Sequence, residues 1–149
     1  MITSELILGI EGVDLSEVHA IRHKVFCEEQ SVPEKIEKDG LDASAVHVLS
    51  YVNGTPAATG RLLVPEFIIG RIAVLPQFRG IGLGDLVVRL LIRAAFDMGG
   101  EQQVVHSQVQ VQGFYEKLGF VPRGEVYEEA GIPHITMIRE GDIFGTCKT

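Results

Sequence analysis

The chain of 149 residues has the length of one ordinary domain, and 46% hydrophobic against 22% charged residues excludes a disordered polymer. Thirteen Lys and Arg against twenty Asp and Glu leave a formal charge of −7, a field that disfavours nucleic acid and anionic membrane and suits a neutral or cationic partner. Cys27 and Cys147 lie far apart without ligand spacing, no basic n-region opens the chain, and no apolar run is long enough to span a bilayer. The expectation is therefore one domain over residues 1–149, reduced and cytoplasmic, with no metal.

Glu5 to Ile10 reads as a first strand. Asp14-Leu15-Ser16-Glu17 has the capping-box pattern, and Leu15, Val18, Ile21, Val25 and Phe26 keep helical spacing, which predicts a helix from about Leu15 to Glu29. Ser31-Val32-Pro33 stops it. Residues 28–42 then form an acidic connection, six carboxylates against two lysines. Val46 to Val52 alternates as a strand. Asn53-Gly54 predicts a type I′ turn, which needs positive φ at both central residues, and Ala57 to Val64 is the return strand. Beyond Pro65-Glu66, Phe67 to Leu75 completes an antiparallel meander. Pro76 ends it, and Gln77 to Gly84 is a glycine-rich turn. A long amphipathic helix runs from about Gly82 to Met98, closed by Gly99-Gly100. Gln103 to Ser107 reads as a strand, Val109 to Leu118 as a short helix, and Phe120-Val121 and Ile135 to Arg139 as the last strands. The order predicts a mixed α/β (α+β) fold with helices on both faces of a mainly antiparallel sheet.

The turn after Pro76 bears the chemistry. A strand ends, glycines let the backbone curl closely, and a helix begins whose first amides lack intrahelical partners and carry the positive end of the dipole. That arrangement seats phosphate oxygens. The turn ends Gly84-Asp85 without the Lys of a Walker loop, and its G-x-G-x-G spacing is not that of a dinucleotide fingerprint. A tight turn without a ligand is the remaining alternative.

Gln77-Phe78-Arg79-Gly80-Ile81-Gly82 resembles the Q/R-x-x-G-x-G/A signature of the GNAT superfamily of acyl-CoA-dependent N-acyltransferases. Gly113-Phe114-Tyr115-Glu116-Lys117-Leu118-Gly119-Phe120 resembles that family's F-Y-x-K-x-G-F hallmark, in the expected order. The resemblance implies a sheet of six to seven strands, splayed between the fourth and fifth, with acetyl-CoA as co-substrate in the gap. It implies direct acetyl transfer to the primary amine of a small molecule or peptide and, as in many relatives, a homodimer. By the same resemblance Ile72, Ala73 and Val74 present backbone groups to the pantetheine arm and thioester, and the Val74 N–H polarises the acetyl carbonyl. Arg79, Gly80, Ile81, Gly82, Leu83 and Gly84 hold the pyrophosphate, Gln77 is a further cofactor-binding residue, Phe114 and Lys117 flank the cofactor, and Tyr115 is the general acid for the leaving thiolate. Gln108 stands where many members carry Asn and gives a longer arm toward the cofactor. An ammonium cannot attack a thioester, so a base must also take a proton, and the resemblance names none.

On the acceptor side, R-x-x-V-F-x-x-E-Q from Arg22 to Gln30, followed by Asp39, Asp42 and His47, resembles the ElaA/YjcF-like branch of that superfamily. It is also similar to acyl-homoserine-lactone synthases, from which the short chain departs in having no Trp. A synthase-like acyltransferase and a non-catalytic CoA-binding module are the alternative functions. Glu29, Asp39, Asp42 and His47 are the candidate acceptor-pocket residues: carboxylates attract an ammonium, and His47 or Glu29 could accept its proton. The competing reading is a solvated helix face, a turn around Gly40 and a hydrogen-bonded strand histidine. His19, His23, His106 and His134 are isolated in the sequence and carry lesser claims.

Overall fold

The strand patterns assemble into one sheet. In this computed structural model, which describes residues 1–143, β1 (Ile2–Leu8), β2 (Ala45–Val52), β3 (Thr55–Leu63), β4 (Ile68–Val74), β5 (Gln102–Gln108), β6 (Val121–Glu129) and β7 (Ile132–Glu140) lie in the order β1-β2-β3-β4-β5-β7-β6. Every neighbouring pair is antiparallel except β4 and β5. The helices are α1 (Ser16–Arg22), α2 (Glu34–Glu37), α3 (Leu83–Asp97) and α4 (Gln112–Glu116). Asn53 and Gly54 take the two positive φ values that the type I′ turn requires.

The apolar stripe of α3 is Val87, Val88, Leu91, Ile92 and Ala95, all buried in one core with Val46, Val48, Ala58 and Leu62 of the sheet. Val105, Ile135, Met137 and Tyr115 belong to the same core. On the other face, Val18, Ile21 and Val25 bury against Leu49 and Ala73. Each buried Val, Leu, Ile or Met among them contributes about 1.5–3 kcal/mol of transfer free energy. The period of two along a strand thereby sorts residues to faces: the alternates of the α3-side positions, namely Arg61 on β3, His106 and Gln108 on β5 and His134 on β7, share the face that α1 covers. On β4 a bulge sets Gly60 against both Arg71 and Ile72, and Arg71 takes φ +53°. A Cβ on Gly60 would stand 2.5–2.8 Å from side-chain atoms of Val87, Ile72 and Leu91, so α3 approaches the bulge closely only because that residue is glycine.

Three details depart from the sequence-based expectation. The first helix is α-helical only to Arg22 and continues from His23 to Glu29 as a π-helix, with Gln30 N donating to Val25 O. Asp14 is not its cap; Leu15 is, and the Asp14 carboxylate accepts the Ser16 amide at 2.9 Å instead. The last strands form a long hairpin from Val121 to Glu140, because Ala130 and Gly131 both take positive φ and build a two-residue turn that the sequence hides among exposed polar residues. Cys27 is a half-buried free thiol, and Cys147 lies outside the described residues.

Candidate active site

Pro76 ends β4 and starts a 3-10 turn, after which the chain passes Gly80 and Gly82 at φ +87° and +85°. A Cβ on either would meet nothing within 4 Å, so backbone conformation rather than crowding demands glycine there. Gly82 is the left-handed N-cap of α3, and no side chain among the described residues caps the helix. The first amides of a 15-residue helix thus remain open to an anion.

Beside this turn the sheet parts. β4 and β5 pair only at Ile68–Val104 and Ile69–Val105 and then diverge. Leu75 N donates to Ala57 O of β3 at 2.9 Å, and because successive amides of a strand point to opposite edges, the Val74 N–H is turned into the gap. The Val74 carbonyl, on the same edge, accepts from Arg79 Nε at 3.0 Å. A cleft of about 970 Å³ opens here, lined by Ile72, Val74, Arg79, Gly84, Gln108 and Tyr115 among others.

One wall of the cleft is an ionic lattice. Arg22, wholly buried, grips Glu37 with Nε (2.9 Å) and Nη2 (2.6 Å) and Asp42 with Nη1 (2.8 Å). Arg61 holds Asp39 in a fork of two 2.9 Å bonds and reaches Asp42 at 3.2 Å. Arg71 donates to the Glu37 carbonyl at 3.1 Å and touches Asp39 at 3.4 Å. Three carboxylates thus meet three guanidiniums. Burial alone would raise the Asp42 carboxyl, but Arg22, His19 and Arg61 hold it well below the usual range. His47, also wholly buried, donates from Nε2 to the Asp42 carbonyl at 3.0 Å, its Nδ1 has no partner among the described residues, and burial pushes its pKa down.

The other wall is built of aromatic and imidazole rings. Tyr115 packs edge-on against Phe114 and Phe120 at centroid distances of 5.0 and 5.7 Å. Burial pushes its pKa up to about 12, so it carries its proton at neutral pH. Its hydroxyl makes no hydrogen bond among the described residues, although the residue lines the cleft. His106 and His134 line it too. Tyr127 stacks on His134 (centroids 6.0 Å, 27°) and meets the edge of His106.

The structure brings to the cleft half of the fourteen residues expected to serve the cofactor and its leaving thiolate. Ile72, Val74, Arg79, Gly84, Gln108, Phe114 and Tyr115 line the cleft. Ala73 turns its side chain into the core under α1, and Leu83 into the core under β4. Gln77, Gly80, Gly82 and the exposed Ile81 lie in the turn, and the exposed Lys117 caps the end of α4. The acceptor-side candidates are scattered. Asp39 lines the cleft, whereas Asp42 and His47 lie behind it, and Glu29 forms a forked pair with Arg79 at 2.7 and 2.8 Å. That pair joins a residue expected to serve the acceptor to one expected to serve the phosphate. Arg61, Arg71, Glu37 and Glu129 were not signalled as cleft residues by any local motif; only the register of the strands and the hidden Ala130-Gly131 turn place them there.

Comparison with known proteins agrees with this geometry. The acetyltransferase (GNAT) domain family model matches residues 11–140. ElaA of Escherichia coli is 33% identical over 138 residues, covering 86% of this chain and 90% of that protein. The uncharacterized N-acetyltransferase YjcF of Bacillus subtilis is 32% identical over 129 residues, covering 85% and 92%. The crystal structure of an acyl-CoA N-acyltransferase from Pseudomonas aeruginosa matches with a TM-score of 0.82 at 30% identity over 93% of this chain and 99% of that one, and the ElaA crystal structure with 0.81 at 30% identity over 94% and 100%.

Proposed function

We propose that this chain, which belongs to the GNAT acetyltransferase family, moves an acetyl group from acetyl-CoA directly onto a primary amine of a small molecule or peptide. One observation carries the proposal: the Val74 amide is turned into the gap where β4 leaves β5, and Tyr115, whose hydroxyl bonds no described residue, lines the same cleft. The pyrophosphate sits on the open amides of α3 and the glycine turn, and the thioester lies along the free edge of β4. The Val74 N–H then points at the oxygen that gains charge as the amine adds. One such preorganised donor is worth about 3 kcal/mol of barrier. Tyr115, protonated at neutral pH, gives a proton to the departing sulfur. Titration calorimetry with acetyl-CoA tests the binding step, with a dissociation constant in the micromolar range expected. Absence of heat at a hundred-fold higher concentration would sink the proposal. Thiol release over polyamines, aminosugars, amino acids and peptides then identifies the acceptor.

A further inference from the structure

The proton that an ammonium must lose has no acceptor in the ionic wall, since every carboxylate there already meets an arginine and the bare Nδ1 of His47 is sealed behind the cleft. The opposite wall holds a different group. His134 is buried on β7, directly across from Gln108 at the end of β5 where the gap opens, and it lines the cleft. Its Nδ1 stands 2.7 Å from the Ile132 carbonyl. A carbonyl only accepts, so Nδ1 carries the hydrogen and Nε2 is left with its lone pair. Tyr127 stacks on the ring and fixes its plane. The Glu129 carboxylate lies 3.6 Å from Nε2, in place to meet an imidazolium once formed. His134 shares the α1-side face with Arg61, whereas Tyr115 packs in the α3-side core.

We infer that His134 Nε2 is the base that deprotonates the acceptor ammonium, directly or through one water, with Glu129 positioning the charge it gains. The inference rests on the transfer proposed above. The ammonium gives one proton to Nε2, which passes it to solvent. The neutral amine forms the C–N bond at the thioester carbon, and the C–S bond breaks. The second amine proton balances the one that Tyr115 donates to the sulfur. Base and acid then work from opposite faces of the parted sheet, the amine arriving on one and the thiolate leaving on the other.

Two measurements on the full chain decide it. Long-range nitrogen NMR near neutral pH reads the tautomer without any acceptor: a hydrogen on Nδ1 and a bare Nε2 are expected, and a hydrogen on Nε2 overturns the inference. Thiol release at saturating acetyl-CoA then compares spermidine, glucosamine and lysine with hydroxylamine, which is already neutral at pH 7 and needs no base before attack. His134→Gln should lower kcat for an alkylamine about 100-fold or more, with KM and acetyl-CoA affinity held within about three-fold and hydroxylamine transfer nearly unchanged. Glu129→Gln, at an exposed position, should lower the alkylamine rate about 3- to 10-fold with the same selectivity. Equal loss with both classes of acceptor, no loss with either, or wild-type transfer that is absent or confined to hydroxylamine overturns it. Failure to bind acetyl-CoA would sink the transfer proposal while leaving the tautomer result standing.

Discussion

The two walls of the cleft differ in what they leave undone. On the wall made by α1, α2, β3 and β4, Arg22, Arg61 and Arg71 consume Glu37, Asp39 and Asp42, His47 of β2 ties down the Asp42 carbonyl, and the two atoms left without a partner among the described residues, His47 Nδ1 and Arg61 Nε, are sealed from solvent. On the wall made by β5, α4 and the β6–β7 hairpin, the Tyr115 hydroxyl makes no bond to a described residue and His134 Nε2 faces only a carboxylate beyond bonding distance. A closed ionic lattice holds a shape, whereas unclaimed polar atoms at a cleft are available to a ligand. The distinction predicts that substitutions on the first wall act on stability and those on the second on turnover.

The largest effect tests the first half. Arg22→Met keeps the volume but leaves Glu37 and Asp42 without their principal partner in a buried site. Breaking a buried pair from one side costs about 3–5 kcal/mol, and urea unfolding should show that loss. A change below about 1 kcal/mol would mean that Arg71, 3.5 Å from Glu37, replaces it. The second half is tested by Tyr115→Phe. The hydroxyl bonds nothing described, so stability should move by less than about 1 kcal/mol while kcat falls about 10- to 100-fold at unchanged acetyl-CoA affinity. Loss of stability with full turnover would reverse the roles assigned to the two walls.

Acid should attack the closed wall first. Burial lowers the pKa of His47 from the ordinary 6.5, so below that value the unfolded chain takes up a proton that the folded chain refuses. Stability is complete above pH 6.5 and declines as pH falls toward the folded value. Asp39 and Asp42, also lowered, extend the decline below their ordinary 3.8. Thermal midpoints from about pH 7.5 to 5.5 should fall for the wild-type chain and stay flatter for His47→Gln, the difference growing by no more than about 1.4 kcal/mol per pH unit.

How much of this was legible in the sequence follows from how local each cause is. The glycine turn and the Asn53-Gly54 hairpin each depend on residues a few positions apart, and each stands where the sequence puts it; the α3 helix does too, but its buried stripe is rotated from the expected one, with Val88 and Ile92 fully buried where Leu86 and Leu90 were expected and those two leucines only half-buried. The family resemblance supplied the splay. The acceptor wall was the opposite case. Asp39, Asp42 and His47 read as candidate ligands because their charges are visible, but their partners Arg22 and Arg61 come from other elements, and nothing local says that Arg61 faces them. His134 failed to stand out for the same reason: its value depends on the Ala130-Gly131 turn that folds β7 back against β5 and on the carbonyl that sets its tautomer.

The smallest effect concerns the one pair that spans both roles. Glu29 and Arg79 are each about two-fifths exposed, so their forked bond adds little to stability in water. Its interest lies in competition. If Arg79 serves the pyrophosphate, the Glu29 carboxylate and the phosphate contend for one guanidinium. Glu29→Gln should then tighten acetyl-CoA about two- to five-fold at low salt, and the gain should shrink as salt screens both partners. Weaker binding would mean that Glu29 holds Arg79 in its productive pose and belongs with the closed wall. Unchanged binding, with Arg79→Met equally silent, would assign the phosphate to the backbone amides of the turn alone.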